Sequence, residues 1–410
     1  MTRLLSLILL CVLAVCRSGA VSPPEIADSD HVSTLIGLSS DSLLAMADRW
    51  NEHHVMTDSA LICYTIVANR YRADQPRTEQ ELAYRGWLGR WDLDFFRYCD
   101  YSLSVEDLLA AEEIAVEAGL PRNRLNYAFG CLWAALSTQT DDADLSFAEK
   151  SLDYMTDAFD ESLRLRDWDT MVNAFLNIAV SGWVSGRLAR EDLPQAAAMM
   201  RAPVPDTALR DMALLNYHAY RALARDSIGA AADHFSRMLD CAGAAAPGRQ
   251  RAMALLMRGQ LRGEQGRYAE GLDDLHRAMD VTYDADLPDA RMVALRGLID
   301  IYRSTGADSA RREATSHLLH LQDTLHTARF LLKAEHLNLD RETLHIRNEL
   351  VRSDMRRRLM TRVAAVAVAV IVVIGALLVM LIRANRRLRE RNRALYRRNR
   401  AEQDIRPTAD

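Results

Sequence analysis

From about residue 40 to residue 328, apolar side chains return every three or four positions and hardly ever alternate over the length of a strand. Ala60, Cys63, Tyr64 and Val67 form one such row, and Leu108, Ala111, Ile114 and Ala115 form another. That period turns an apolar stripe to one side of an α-helix, so the region is predicted to be all-α. Prolines are sparse and act as punctuation, at Pro121, Pro203, Pro247 and Pro288. Proline cannot continue a helix interior, and the last three stand about forty residues apart, which is one helix pair per interval. Repeated helix pairs of that length predict a solenoid over residues 40–328.

The clearest single unit runs from Ala252 to about Val281. Its Gly259, Gly266, Tyr268, Gly271 and Ala278 resemble the tetratricopeptide pattern, in which small residues sit where the two helices of a pair cross. Gly266 is expected to supply the left-handed turn that ends the first helix, with Tyr268 packing beneath that turn. Arg258 and Arg262 depart from the pattern, which carries large apolar or aromatic residues at those places.

Two apolar stretches bracket the array. Arg3, the run Leu4–Val15 and then Ser18-Gly19-Ala20 have the order of a secretory signal over residues 1–20. An uncleaved anchor, or lipidation of Cys16 after Leu13-Ala14-Val15, stays open beside it. Residues 21–39 read as a linker. The second stretch, Val363–Ile382, holds no charge. At about 1.5 Å per residue it would span about 30 Å, the thickness of a hydrocarbon core. Arg356, Arg357, Arg358 and Arg362 precede it, and nine arginines against one acid, Glu390, fill residues 383–400. Positive charge stays on the cytoplasmic side. The expected localisation is therefore the inner membrane, with one span at 363–382, residues 21–362 outside the cytoplasm and a basic cytoplasmic tail at 383–410.

Between array and span, residues 329–362 form a strong helix-forming stretch. Leu337, Leu344 and Val351 fall seven apart, as do Leu332, Leu339 and Ile346. This juxtamembrane helix reads either as a rigid connector or as the last helix packed on the array. After the span, Asn385 and Asn392 with Leu388 and Leu395 take the a and d positions of a short heptad seam, which would pair two copies of the chain. A solvated basic helix lying on the lipid bilayer is the other reading of the same residues.

Composition narrows the chemistry. Nearly half of the 410 residues are apolar and 26% are charged, as in folded material, and the net charge of -5 conceals an acidic array and a basic tail. His317, His320, Asp323 and His326 could share a helix face, but no cysteine or carboxylate pair completes a metal shell, and no metal is expected. His53 and His54 read as surface residues. No phosphate loop, nucleophile elbow or HExxH appears, so neither a cofactor nor enzymatic activity is expected. Trp50, Trp87, Trp91, Trp133, Trp168 and Trp183 all fall in the first half; they read as packing between helix pairs, with an aromatic groove as the alternative. Cys63, Cys99, Cys131 and Cys241 form no CxxC and read as free thiols. The tail lacks aromatic interleaving or a folded reading element, so nucleic acid is not an expected partner.

Ser59-Ala60-Leu61-Ile62-Cys63-Tyr64-Thr65-Ile66-Val67-Ala68-Asn69-Arg70-Tyr71, together with Asp100-Tyr101-Ser102 and Asp107-Leu108-Leu109, resembles the opening helices of tetratricopeptide-repeat single-span membrane regulators of Gram-negative anaerobes. The order of parts is similar along the whole chain. In many members the cytoplasmic part continues into a DNA-binding output domain, for which the residues after Ile382 leave no room. The resemblance implies a membrane-tethered periplasmic sensor that binds a protein or peptide. A passive envelope scaffold, or a shortened transcription regulator without its output domain, are the alternatives.

Overall fold

The computed structural model describes residues 34–53, 57–139, 145–242, 248–285, 287–327, 329, 355–356, 360, 378–395 and 397. Every extended element among them is helical. The chain divides into two compact units, Met1–Arg341 and Glu342–Asp410.

The first unit is an array of helices in chain order. α1 (Ser40–His53) and α2 (Thr57–Ala68) lead into α3 (Arg77–Asp92), which continues through one π-type turn, Leu93–Arg97. α4 (Tyr101–Ala118), α5 (Asn123–Gln139), α6 (Leu145–Leu165) and α7 (Trp168–Val184) follow. Two short helices, α8 (Arg187–Arg190) and α9 (Pro194–Arg201), precede α10 (Thr207–Leu223) and α11 (Ile228–Ala242). α12 (Gly248–Glu264), α13 (Tyr268–Asp284), α14 (Pro288–Thr305) and α15 (308–327) complete it. From α1 to α8 and from α9 to α14 each helix packs on the next, and α3, α7 and α12 also reach α1, α10 and α14. Helices that pack together across a turn of two to five residues run antiparallel, so the unit is a stack of helical hairpins.

Local chemistry sets the boundaries. Asp100 caps α4, its Oδ1 accepting from the amides of Ser102 and Leu103 at 3.0 and 3.1 Å. Asp167 and Asp206 cap α7 and α10 in the same way, through the amides of Thr170 and Leu209. Gly119 and Gly306 end α4 and α14 in the left-handed conformation, and Gly266 makes the turn between α12 and α13 at φ +75. Pro288 opens α14, where its missing amide hydrogen costs nothing, and Pro121 and Pro203 lie in the turns before α5 and α10.

The core follows the stack. One apolar cluster extends from Ala83 to Leu261, a second gathers α1, α2 and Tyr98, and a third fills the space among α12, α13 and α14. The array also meets itself far along the sequence. Arg329 Nε donates to the carbonyl of Tyr98 at 2.9 Å, and the Arg249 guanidinium stands 5.4 Å from the ring of Phe96. The π-type turn after α3 thus receives residues from α12 and from beyond α15.

In the second unit, residues 378–395 are helical and exposed. Asn385, Leu388, Asn392 and Leu395 lie along this helix with Leu388 and Leu395 more than half exposed. The expected signal peptide, residues 1–20, lies outside the described residues, as do most of the linker, residues 330–354 of the juxtamembrane stretch and residues 363–377 of the apolar run. The inner-membrane localisation is corrected: among the described residues no helix is long and apolar enough to cross a membrane. Only Leu378–Ile382 of the apolar run are described, and at about 1.5 Å per residue they cover about 7.5 Å before the arginines begin.

Candidate functional site

The inner ends of several helices line a half-open cavity of about 630 Å³. That volume falls within the range of about 300–1,000 Å³ typical of small-ligand sites. α1 and α2 supply Asp48, Asn51 and Tyr64; α3 supplies its last two turns, including Arg85, Trp91 and Asp92. The first turns of α5, α7, α10 and α12 close the other side with Arg124, Thr170, Leu209 and the run Gly248-Arg249-Gln250. Each of those four helix starts turns the positive end of a helix dipole this way, although Asp167 and Asp206 already take an amide at α7 and α10.

The two sides of the cavity differ in how their polar groups are satisfied. On the α1–α3 side, Tyr64 Oη donates to Asp48 Oδ1 at 2.8 Å and Asn51 Nδ2 donates to Asp92 Oδ2 at 2.9 Å. Arg85 pairs with the other oxygen of Asp48 at 3.2 Å. Burial, with Asp48 beside it, pushes the Tyr64 phenol far above its ordinary value, so the hydroxyl stays a donor. On the α12 side, Arg249 is held by Asp289 through one terminal nitrogen, Nη2. Its Nε and Nη1 are buried without an acceptor, as is the indole nitrogen of Trp91, and the amide oxygen of Gln250 is buried without a donor. Arg249, Gln250 and Trp91 are each about 4% exposed. Their neighbourhood is aromatic: Trp91 lies 5.5 Å from Phe96, the ring under Arg249, and 6.4 Å from Tyr127.

The residues singled out in the sequence occupy a different place. Gly259 and Gly271 face each other where α12 crosses α13, and a Cβ on Gly271 would lie 2.8 Å from the carbonyl oxygen of Gly259. Ala278 is fully buried in the same contact region, whereas Tyr268 opens α13 and remains 36% exposed instead of filling the space beneath the turn. These residues hold a hairpin together and do not line the cavity. Arg258 and Arg262 converge on the buried carboxylate of Asp274, at 2.6 and 2.7 Å. His317, His320 and His326 are exposed, and among the described residues no group of three or more potential ligands is placed to hold a metal ion. Of the tryptophans, Trp87, Trp133, Trp168 and Trp183 pack partly buried against the core, while Trp91 belongs to both core and cavity.

Sequence reading missed the cavity because its walls come from helices up to two hundred residues apart. One local signal was present: Arg249 and Gln250 are two adjacent polar residues, both buried, at the start of the mostly apolar face of α12.

No protein-family model matches the chain, and no curated protein matches it. A solved structure that it resembles is the crystal structure of a Rap protein complexed with competence and sporulation factor. The identity is 11%, the TM-score 0.47, and the match covers 79% of this chain and 99% of that one. So loose a likeness carries nothing about ligand or role.

Proposed function

We propose that the chain is a tetratricopeptide-like repeat protein that binds a peptide, or a peptide segment of a protein, within its array, and that it acts by binding without catalysis. The observation that supports this most is the cavity itself, into which six separate helices turn polar and aromatic side chains. Aromatic faces with a few fixed polar groups suit a short chain carrying both apolar side chains and amides.

What one wall residue touches supports a sensing role. Arg249 lines the cavity and also stacks on Phe96 of the π-type turn, and the neighbouring Tyr98 carbonyl receives Arg329. A ligand with different affinities for two arrangements of that turn would shift the residue from which the chain continues toward its second unit.

The test uses the full chain immobilised and exposed to a synthetic pentapeptide library, with Asn173→Trp as the cavity-filling variant and Leu109→Ala, on an exposed face of α4, as the control. Retention by the wild type and the control, lost in Asn173→Trp, is expected. Retention that is the same in all three would remove the cavity as the binding site.

A further inference from the structure

The helix of residues 378–395 belongs to the second unit, and all of its side chains are exposed. At about 100° per residue, Leu378, Leu381, Leu388 and Leu395, with Asn385 and Asn392 between them, fall within one sector about 100° wide. Every arginine of this helix stands outside that sector. The four leucines are each more than half exposed, and nothing among the described residues of the second unit covers them.

The two asparagines decide what suits such a stripe. Against lipid or an apolar protein face both carboxamides would be buried without partners, which is costly. Against the same helix of another copy, in register, Asn385 meets Asn385 and Asn392 meets Asn392. A carboxamide both donates and accepts, so each pair satisfies itself.

We infer that the helix of residues 378–395 pairs with its counterpart in a second copy of the chain, parallel and in register. Leu378, Asn385 and Asn392 take the a positions of the seam, and Leu381, Leu388 and Leu395 the d positions. The arginines fit this arrangement. In a parallel pair the residue before each a position faces the residue five further along the other chain, so Ala384 stands opposite Arg389. The sequence has no arginine five residues after Arg391. Arg386, Arg387 and Arg393 point away from the seam. An antiparallel pair would set both asparagines against leucines and leave their amides unanswered.

Sedimentation equilibrium of the full chain over a range of concentrations tests the pairing. A dimer is expected, tightening as salt is added, because screening weakens repulsion among the arginines. Leu388→Asp is expected to weaken it at least about a hundred-fold, through loss of one buried leucine from each copy. Arg386→Ser, on the outer face, leaves the dimer in place. Orientation is read by mixing Asn385→Asp with Asn385→Lys in chains that bear different tags. In register the two charges meet, so mixed pairs should exceed a statistical mixture. A monomer at every concentration, or a dimer that survives Leu388→Asp, overturns the pairing. A statistical mixture of tagged chains overturns the parallel, in-register arrangement. Association that loosens with salt and is lost in Arg386→Ser identifies a polyanion bridge and overturns the seam as well.

Discussion

Arg258 grips Asp274 with two nitrogens, Nε to Oδ2 at 2.9 Å and Nη2 to Oδ1 at 2.6 Å, and the aspartate it grips has no exposed surface. Arg262 adds a third bond to the same carboxylate at 2.7 Å. These arginines stand where the repeat pattern has apolar side chains, so one buried acid on α13 compensates for both departures on α12. Removing a single partner leaves buried charge unopposed. Asp274→Asn is expected to lower stability by about 3–5 kcal/mol, while Arg258→Met and Arg262→Met together with Asp274→Leu recover most of that loss. Denaturant unfolding of the three proteins checks it; a triple variant no better than the single one would contradict the account.

Gly271 and Gly266 differ in why they must be glycine. At Gly271 an added Cβ meets the Gly259 carbonyl oxygen at 2.8 Å, and backbone cannot step aside. Gly271→Ala should therefore separate α12 from α13 and cost about 1–3 kcal/mol, as overpacking does. At Gly266 nothing lies within 4 Å, and the cost comes from φ +75 alone. Gly266→Ala is expected to cost about 1 kcal/mol, and Gly266→Asn less, since asparagine tolerates the left-handed region. Thermal unfolding that ranks these substitutions otherwise would mean the crossing is looser than described.

The π-type turn carries a pH dependence. Asp94 is fully buried, and burial, with the Asp107 carboxylate beside it, pushes its carboxyl well above the usual range. Asp107 is itself buried and paired with Arg90 at 2.9 Å. An unfolded aspartate loses its proton near pH 4, whereas folded Asp94 keeps it to higher pH. Its contribution to stability is therefore full below about pH 4 and is lost as pH rises through the folded value. Asp94→Asn stays neutral at every pH, so its stability relative to the wild type should rise between pH 4 and 8. Parallel unfolding curves for the two across that range would refute a raised Asp94.

Cysteine reactivity follows burial. Burial pushes the Cys63, Cys99 and Cys131 thiols up to about 12, while Cys241 is exposed. Iodoacetamide at pH 8 is expected to label Cys241 in the native protein and the other three only after unfolding, because the thiolate is the reacting form. Peptide mapping decides it, and native labelling of Cys99 would mean that the π-type turn opens.

The fold was legible because burying one helix face leaves a local period, and because Pro121, Pro203 and Pro288 stand at helix starts. The hairpin of α12 and α13 was legible for the same reason, since Gly259 and Gly271 answer to contacts within thirty residues and Gly266 to its own backbone turn. The cavity was not. Trp91 and Tyr127 have the spacing of core residues and are buried as core residues are; only the unanswered indole nitrogen marks Trp91 as more. Arg249 meets Phe96 across more than 150 positions, a contact that no window along the chain contains. The membrane assignment came from twenty apolar residues, a purely compositional signal, and the described part of that run is too short to carry it.

The most direct measurement is the thermal unfolding of the full chain with increasing amounts of the pentapeptide it retains best. A ligand that binds only the folded form raises Tm with its concentration. The wild type is predicted to show that rise and Asn173→Trp is predicted not to; an equal rise in both would contradict the claim that the cavity is where the chain binds.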